Sequence, residues 1–494
     1  MLSVLSSVVF AILASRRGCS PADVPDFAAH FGSKTRYEDS SAYRRLLAEP
    51  AAVDRSLPSG ERCSPVHLTA VVRHGSRYPT VKNIRAMRQL SDLLRTASRD
   101  EGEEGERSAA WRRDVLRRWD MWYTEDMDGQ LVPKGREDLR QLATRLAVSF
   151  PSLLGEESLR AGRVRVLTSS KHRCVSSAEA FQEGLHLSAN VTLAVHYRHQ
   201  VDDGLLRSFD TCRGYVEGVE KNRTALAEVY KFKRGTEMEA LRKKVADKLG
   251  LPHRSLTPDL LEAAFFLCSY ELAIKSLHSP WCFLFDREDA KVLEYKCDLK
   301  LFWKRAHGHA ITLAASCPLF HHVFRSLDKA GRPRRSSDTP PEPASILIGH
   351  AETLLPFLGL LDLYKDETPP TADNYQSQHA CWSRTQPTWS WFCWTAREAP
   401  TCRCWSTRRR FDSRACRRRT RRCIATCGRR TATCWTDATF TKNARARPAA
   451  ADPTPNSEWP AAANRRSSLR TPTAGADKIT DTFLLRYELN FPGA

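Results

Sequence analysis

Between residues 381 and 475 the chain has one leucine, one isoleucine, no valine and no histidine. A segment so poor in aliphatic side chains cannot bury a normal core. A zinc module there would have to rest on cysteine alone, and Cys402-Arg403-Cys404 and Cys423 to Cys427 follow no recognised ligand spacing. The same stretch holds 20 Lys and Arg against 5 Asp and Glu, so +15 of the chain's net +20 sits here and the remainder carries only +5. A disordered arginine-rich arm for nucleic acid is opposed by seven of the twelve Trp and eight of the sixteen Cys, residue types that disordered tails avoid. The third reading is translation in the wrong frame.

Basic residues are also lacking before Leu2–Ala14, an apolar stretch of signal-peptide length that is too short to cross a bilayer. Arg16 and Arg17 follow it, and Ala14 and Ser15 offer a plausible cut, so a signal peptide over 1–18, secretory routing and no stable membrane span are expected. Asn190-Val191-Thr192 and Asn222-Arg223-Thr224 are glycosylation sequons. Eight cysteines lie between the leader and residue 380: Cys19, Cys63, Cys174, Cys212, Cys268, Cys282, Cys297 and Cys317. An oxidising compartment would let several pair, with a connectivity that sequence does not give.

Three short apolar runs carry the chemistry. Val66 to Val72 reads as a buried strand and delivers Arg73-His74-Gly75-Ser76-Arg77-Tyr78-Pro79. Arg163 to Leu167 ends in Thr168-Ser169-Ser170-Lys171-His172-Arg173, after which Ser176-Ser177-Ala178-Glu179 suggests a capping box opening a helix. Ala344 to Ile348 ends in Gly349-His350-Ala351-Glu352-Thr353. Chains leaving the carboxyl ends of such strands enter the crevice where α/β proteins bind ligands. Taken singly, each run could be a basic turn or an ordinary helix start; all three after strands point to phosphomonoester chemistry. Arg73, Arg77, Arg173 and His350 would neutralise phosphoryl oxygens, His74 would attack phosphorus, and Glu352 would protonate the leaving alkoxide. Neither a metal nor another cofactor is needed.

The RHGxRxP spelling resembles the histidine phosphatase superfamily, acid-phosphatase branch. His350-Ala351-Glu352, where many members have His-Asp, is similar to the multiple inositol polyphosphate phosphatases, as are Phe31 to Asp39, Tyr78 to Lys82 and Leu205 to Cys212. The similarity runs from about Phe31 to about Gln376. It implies a phosphoglycerate-mutase-like, three-layer α/β domain interrupted by a mostly helical one, and hydrolysis of inositol polyphosphates such as phytate through a phosphohistidine, with 2,3-bisphosphoglycerate also allowed. The domain plan is then an α/β part over 31–204, a helical insert over 205–315, a second α/β part over 316–380, the anomalous 381–475 and a tail over 476–494. Thr236 to Leu249 and Leu256 to Ser276 support the insert through their helical pattern.

Lys82, Arg85, Lys231, Lys233 and Arg234 are candidates for the substrate's other phosphates, although each could equally be a solvated surface charge. Animal members reside in the endoplasmic reticulum behind a retention tetrapeptide, which Asn490 to Ala494 does not spell, so the expectation is the reticulum lumen or secretion. A general histidine acid phosphatase is the nearest alternative. Outside the class stand a catalytically dead phosphatase fold and a nucleic-acid binder using the arginine-rich segment, which a frame error would remove.

The genetic code favours that frame error. If Ser390 uses a TCN codon, reading Trp389-Ser390-Trp391-Phe392-Cys393-Trp394 from the third base of each codon gives Val, then Leu, Val or Met, then Val-Leu-Leu, which is a buried strand. Losing one core strand can exceed a domain's whole folding margin of about 5 to 15 kcal/mol. Sequencing the transcript across the codons for residues 370 to 480 is expected to reveal a frame shift near codon 380. An in-frame read would restore the segment as genuine protein.

Overall fold

The computed structural model describes residues 24–36, 38, 65–97, 115–189, 198–331, 342–363, 365, 368–375, 392–394, 403–406 and 409–411. The leader, Cys19, Cys63, Asn190 and most of the anomalous segment lie outside them.

Four strands form a parallel sheet: β1 (Leu68–Arg73), β2 (Val164–Thr168), β3 (Gln200–Val201) and β4 (Ala344–Gly349), in the order β1-β4-β2-β3. The three expected strands are present, shifted by one or two residues at their ends. β4 lies between the other two, with Arg73 opposite Gly349 and Thr168 opposite Ile348. Segments far apart in sequence therefore leave the sheet together: the His74 N–H donates to the Gly349 carbonyl at 2.9 Å and the Ser169 N–H to that of Ile348 at 3.4 Å.

Alternation along the strands makes two cores. Leu68, Ala70, Val72, Val166, Ile346 and Ile348 pack against α2 (Pro133–Ser149) and α3 (His172–Ser188), which follow α1 (Val81–Ala97) in the chain. On the opposite face, Val71, Leu167 and Leu347 meet Phe320, Val323, Leu354 and Phe357, which lie on helices over 317–331 and 351–360. The result is the three-layer α/β arrangement expected.

A helical lobe stands beside it. Its core joins α4 (Thr236–Leu249), α5 (Pro258–Lys275) and α6 (Arg287–Arg305) to Phe27, Phe31, α1 and Tyr123, so segments outside 205–315 also build it. Local chemistry fixes the helix ends. Gly250 closes α4 in the left-handed region, Thr257 caps α5, and Asp286 and Asp289 cap α6 reciprocally. The two remaining long helices are α7 (Cys317–Gly331) and α8 (Ala351–Leu360). Cys268 and Cys282 are joined, with Cα atoms 4.8 Å apart, and Cys212 and Cys317 are also disulfide-bonded. Cys174 and Cys297 are free thiols.

The expected capping box at Ser176 does not open a helix, because α3 already begins at His172. The Ser177 hydroxyl instead accepts the Gly75 N–H at 3.0 Å, tying α3 to the loop after β1. Of the anomalous segment, three short strands are described: β5 (Phe392–Trp394), β6 (Arg403–Ser406) and β7 (Arg409–Phe411), an antiparallel sheet whose first strand approaches β1.

Two glycines let the β1 loop lie against the start of α2. A Cβ on Gly75 would stand 2.3 Å from the Gly135 carbonyl oxygen, and one on Gly135 would stand 2.2 Å from that of Ser76. Backbone on both sides leaves little room to yield. Gly135→Ala is expected to cost about 1–3 kcal/mol in urea unfolding and to lower turnover by moving His74; unchanged stability and turnover would show that the contact is dispensable.

Candidate active site

His74, Arg173 and His350 emerge at the same end of three adjacent strands. Burial first, then Arg73, His350, Arg173 and Arg77, holds His74 well below the ordinary imidazole value, so its ring is neutral. Its Nδ1 lies 2.8 Å from the Gly75 carbonyl oxygen, an acceptor, which puts the proton on Nδ1. Nε2 keeps its lone pair and has no hydrogen-bond partner among the described residues. A neutral, oriented imidazole with one open nitrogen is what an attack on phosphorus requires.

Cations surround it. Arg73 donates to the Ser33 carbonyl at 3.4 Å, and burial followed by Arg77 lowers its guanidinium to about 10. Arg77 donates to the Tyr78 carbonyl at 2.7 Å and to the Tyr270 hydroxyl at 3.5 Å. Arg173 Nη2 lies 3.3 Å from His350 Nδ1, and its buried Nε has no partner among the described residues. Arg77 and Arg173 converge at Gly129: a Cβ there would stand 3.4 Å from Arg173 Nη1 and 4.0 Å from Arg77 Cδ, and φ is +59°. Gly129 thus serves both the turn and the passage of two arginines.

His350 caps α8. Its N–H donates to Thr353 Oγ1 at 2.9 Å, and that hydroxyl donates to the Leu206 carbonyl at 2.6 Å. Its ring stands edge-on to His74 with centroids 5.5 Å apart. Because Arg173 can only donate, Nδ1 accepts, and the remaining proton sits on Nε2 and points to Ser169 Oγ at 2.8 Å. Burial and Arg173 keep the ring neutral. Without substrate, His350 is therefore a neutral ring whose one N–H is given to Ser169, rather than the positive charge expected of it.

Glu352, in the first turn of α8, pairs with Arg305 of α6 at 3.6 Å. Burial pushes its carboxyl up. Arg305, His350, a backbone N–H of the helix terminus and Arg73 outweigh that and hold it well below the usual range. The proton donor expected from sequence is a carboxylate while the site is empty.

The candidates for outer phosphates mostly have partners. Arg85 is forked onto Glu125, Lys231 pairs with Asp373 and Lys233 with Asp259; Lys82 is exposed on α1. Sequence reasoning missed two others. Lys34 lies 4.0 Å from the Phe266 ring centroid and 6.0 Å from that of Tyr270, which bonds Arg77. On α6, Lys296 and Lys304 pair with Glu262 and Glu220, while Lys300 between them has no ion pair among the described residues; desolvation by its surroundings and then the neighbouring Lys296 lower it to about 8. A lysine spacing of four along α6 was the signal available in sequence. Among the described residues no group of three or more His, Cys, Asp and Glu could hold a metal, and no helix is long and apolar enough to cross a membrane.

A neutral imidazole with an open nitrogen and three guanidiniums at the carboxyl end of an α/β sheet fit a phosphatase of the histidine type. The family model for the histidine phosphatase superfamily (branch 2) matches residues 66–389, and the chain belongs to that family. It is 46% identical over 391 residues to multiple inositol polyphosphate phosphatase 1 of Homo sapiens, covering 76% of this chain and 78% of that protein. The Gallus gallus protein of the same name is 44% identical over 352 residues, covering 71% and 75%. Among solved structures, the phytase from D. castellii superposes with a TM-score of 0.64 at 14% identity, covering 88% of this chain and 96% of that one. The Bifidobacterium longum multiple inositol polyphosphate phosphatase in complex with inositol hexasulfate gives 0.57 at 14% identity, covering 78% and 92%. These two support the fold; the family match and the relatives make the chain a phosphatase.

The pH dependence follows from His74. An imidazole that attacks phosphorus would have to be neutral, and burial and the neighbouring arginines push protonation of this one below the ordinary 6.5. The acid limb of kcat/KM is expected below pH 6.5, measured with 4-nitrophenyl phosphate. A limb at or above that value would contradict a buried, cation-flanked His74.

Proposed function

We propose that this chain hydrolyses the phosphomonoesters of inositol polyphosphates, phytate and its lower homologues, through a phosphohistidine on His74. The observation that carries the chemistry is the Nδ1 to Gly75 bond, which leaves Nε2 open beside Arg73, Arg77 and Arg173. The substrate class rests on the vertebrate relatives' names and on the His350-Ala351-Glu352 spelling.

Arg73, Arg77 and Arg173 hold the phosphoryl oxygens, with His350 steadying Arg173 by accepting from it at Nδ1. His74 Nε2 bonds to phosphorus as the ester P–O bond breaks, and Glu352 gives its proton to the departing alkoxide. That proton enters with the substrate: a phosphate ester has its second pKa near about 6, and a monoanion placed between Glu352 and the guanidiniums weakens the field that kept the carboxylate bare. Glu352, ionised again, then takes a proton from water as water attacks the phosphohistidine and the P–N bond breaks. Lys34 and Lys300 would meet phosphates that are not reacting. The same pocket would accept 2,3-bisphosphoglycerate.

Secretory routing, the signal peptide and glycosylation at Asn222 belong to this proposal. The Cys268–Cys282 bond supports an oxidising compartment, and Asn222 lies in a loop where its side-chain oxygen accepts the Thr224 N–H and hydroxyl. No nucleic-acid role is proposed, since the basic excess lies in the anomalous segment.

Orthophosphate is expected from inositol hexakisphosphate without added metal once the reading frame over residues 381–475 is restored, and His74→Ala should then cut turnover by about 10³-fold or more; retained turnover would remove His74 as nucleophile. Lys34→Met and Lys300→Met should raise KM for inositol hexakisphosphate while leaving that for 4-nitrophenyl phosphate in place. Equal changes for both esters would place the lysines outside substrate recognition.

A further inference from the structure

Lys304 and Arg305, consecutive at the end of α6, share one carboxylate. Glu220 takes Lys304 on Oε1 at 2.6 Å and Arg305 on Oε2 at 2.8 Å. Two cations against one anion leave a unit of positive charge, and the other end of the Arg305 guanidinium, Nη2, lies 3.6 Å from Glu352 Oε1. Arg305 is mostly buried. Its Nη1 also donates to the Tyr215 hydroxyl, while that hydroxyl reaches Glu220 Oε2 at 3.1 Å and the Lys304 carbonyl at 3.0 Å. The guanidinium lies 5.8 Å from the Phe209 ring, whose edge-on partner is His350 at 5.7 Å. Arg305 thus holds Glu352 directly and reaches the His350 ring at the start of α8 through Phe209.

We propose that Arg305 is a positioning residue that holds the Glu352 carboxyl in place and sets how readily it gives up and regains its proton. The proposal rests on the reading of Glu352 as proton donor. A cation at this distance stabilises the carboxylate left after proton transfer, making Glu352 a stronger acid toward the alkoxide, and keeps it ionised to receive a proton from the attacking water. The other groups that face Glu352 are Tyr215, His350 beside it in the chain, Arg73 from the end of β1 and Arg173 from α3. Of these, Arg305 exerts the largest charge effect on the carboxyl. Glu220 opposes it by drawing on the same guanidinium.

Opposite shifts are therefore expected from two variants. In the enzyme–substrate complex kcat falls at alkaline pH as Glu352 loses its proton. Removing the cation raises that limb, and removing its competitor lowers it. The kcat–pH profile of the full chain is to be measured on inositol hexakisphosphate, an alkyl ester that needs its leaving group protonated, and on 4-nitrophenyl phosphate, which needs it less. Arg305→Met should move the alkaline limb up by about one to three pH units, with a larger fall in kcat on the alkyl ester, and Arg305→Lys should restore most of the limb. Glu220→Gln should move the limb down, which keeps the test alive if Arg305→Met does not fold. An active parent whose limb stays fixed in the variants that fold, with kcat merely reduced, would overturn the role of Arg305 alone. A parent that hydrolyses 4-nitrophenyl phosphate but not the inositol ester, with a limb that moves as stated, would uphold Arg305 and overturn the substrate class. A parent inactive on both esters would overturn the functional reading and this inference together.

Discussion

Like charges crowded in a dry place are the constraint from which the rest of the structure follows. Arg73, Arg77 and Arg173 meet at one sheet edge, and each of the buried pair Arg73 and Arg173 is lowered by burial and then by the neighbouring Arg77. Such a cluster is unfavourable until an anion enters, so the fold must hold it open with contacts made elsewhere. The sheet does so by register. With β4 between β1 and β2, backbone hydrogen bonds pin the residues that carry the charges, and Gly75 against Gly135 and Gly129 beside two guanidiniums remove the side chains that would obstruct them. The field that, with burial, keeps protons off His74 and His350 is the same field that attracts a phosphate anion. One arrangement thus supplies both a neutral nucleophile and an electrostatic receptor.

The three strand ends were legible because each combines a short apolar run with a polar loop, and a parallel sheet converts such runs into convergent loops. The helices at Thr236 to Leu249 and across Pro258 to Lys275 were legible for a related reason: their apolar spacing suits a buried face, and their ends carry glycine or threonine. Less readable were features that depend on what stands opposite in space. Ser177 sits in sequence inside an apparent capping box opened by Ser176, yet its hydroxyl serves Gly75, about a hundred residues earlier in the chain. Gly129 and Gly135 are ordinary turn and helix glycines until the arginines and the β1 loop are placed against them. Lys34 and Lys300 were passed over for Lys231 and Arg85, which share their composition; only the partners distinguish a committed charge from an available one. His350 was counted as a cation because its residue type permits it, whereas burial and Arg173 decide otherwise.

Glu352 shows how far a role depends on the state of the site. Named from its motif as an acid, it is held as a carboxylate when the pocket is empty by Arg305, His350, a backbone N–H of the helix terminus and Arg73. The two facts agree once the substrate's charge is included. A phosphate brings negative charge to a place where only positive charge opposed protonation, so binding itself shifts Glu352 toward the acid form, and departure of the alcohol shifts it back. Because Arg305 belongs to the helical lobe and Glu352 to the α/β domain, the acidity of the donor depends on how the two parts meet. Any substitution that moves α6 relative to α8 would therefore alter turnover without touching a phosphate, by changing the length of a single 3.6 Å ion pair.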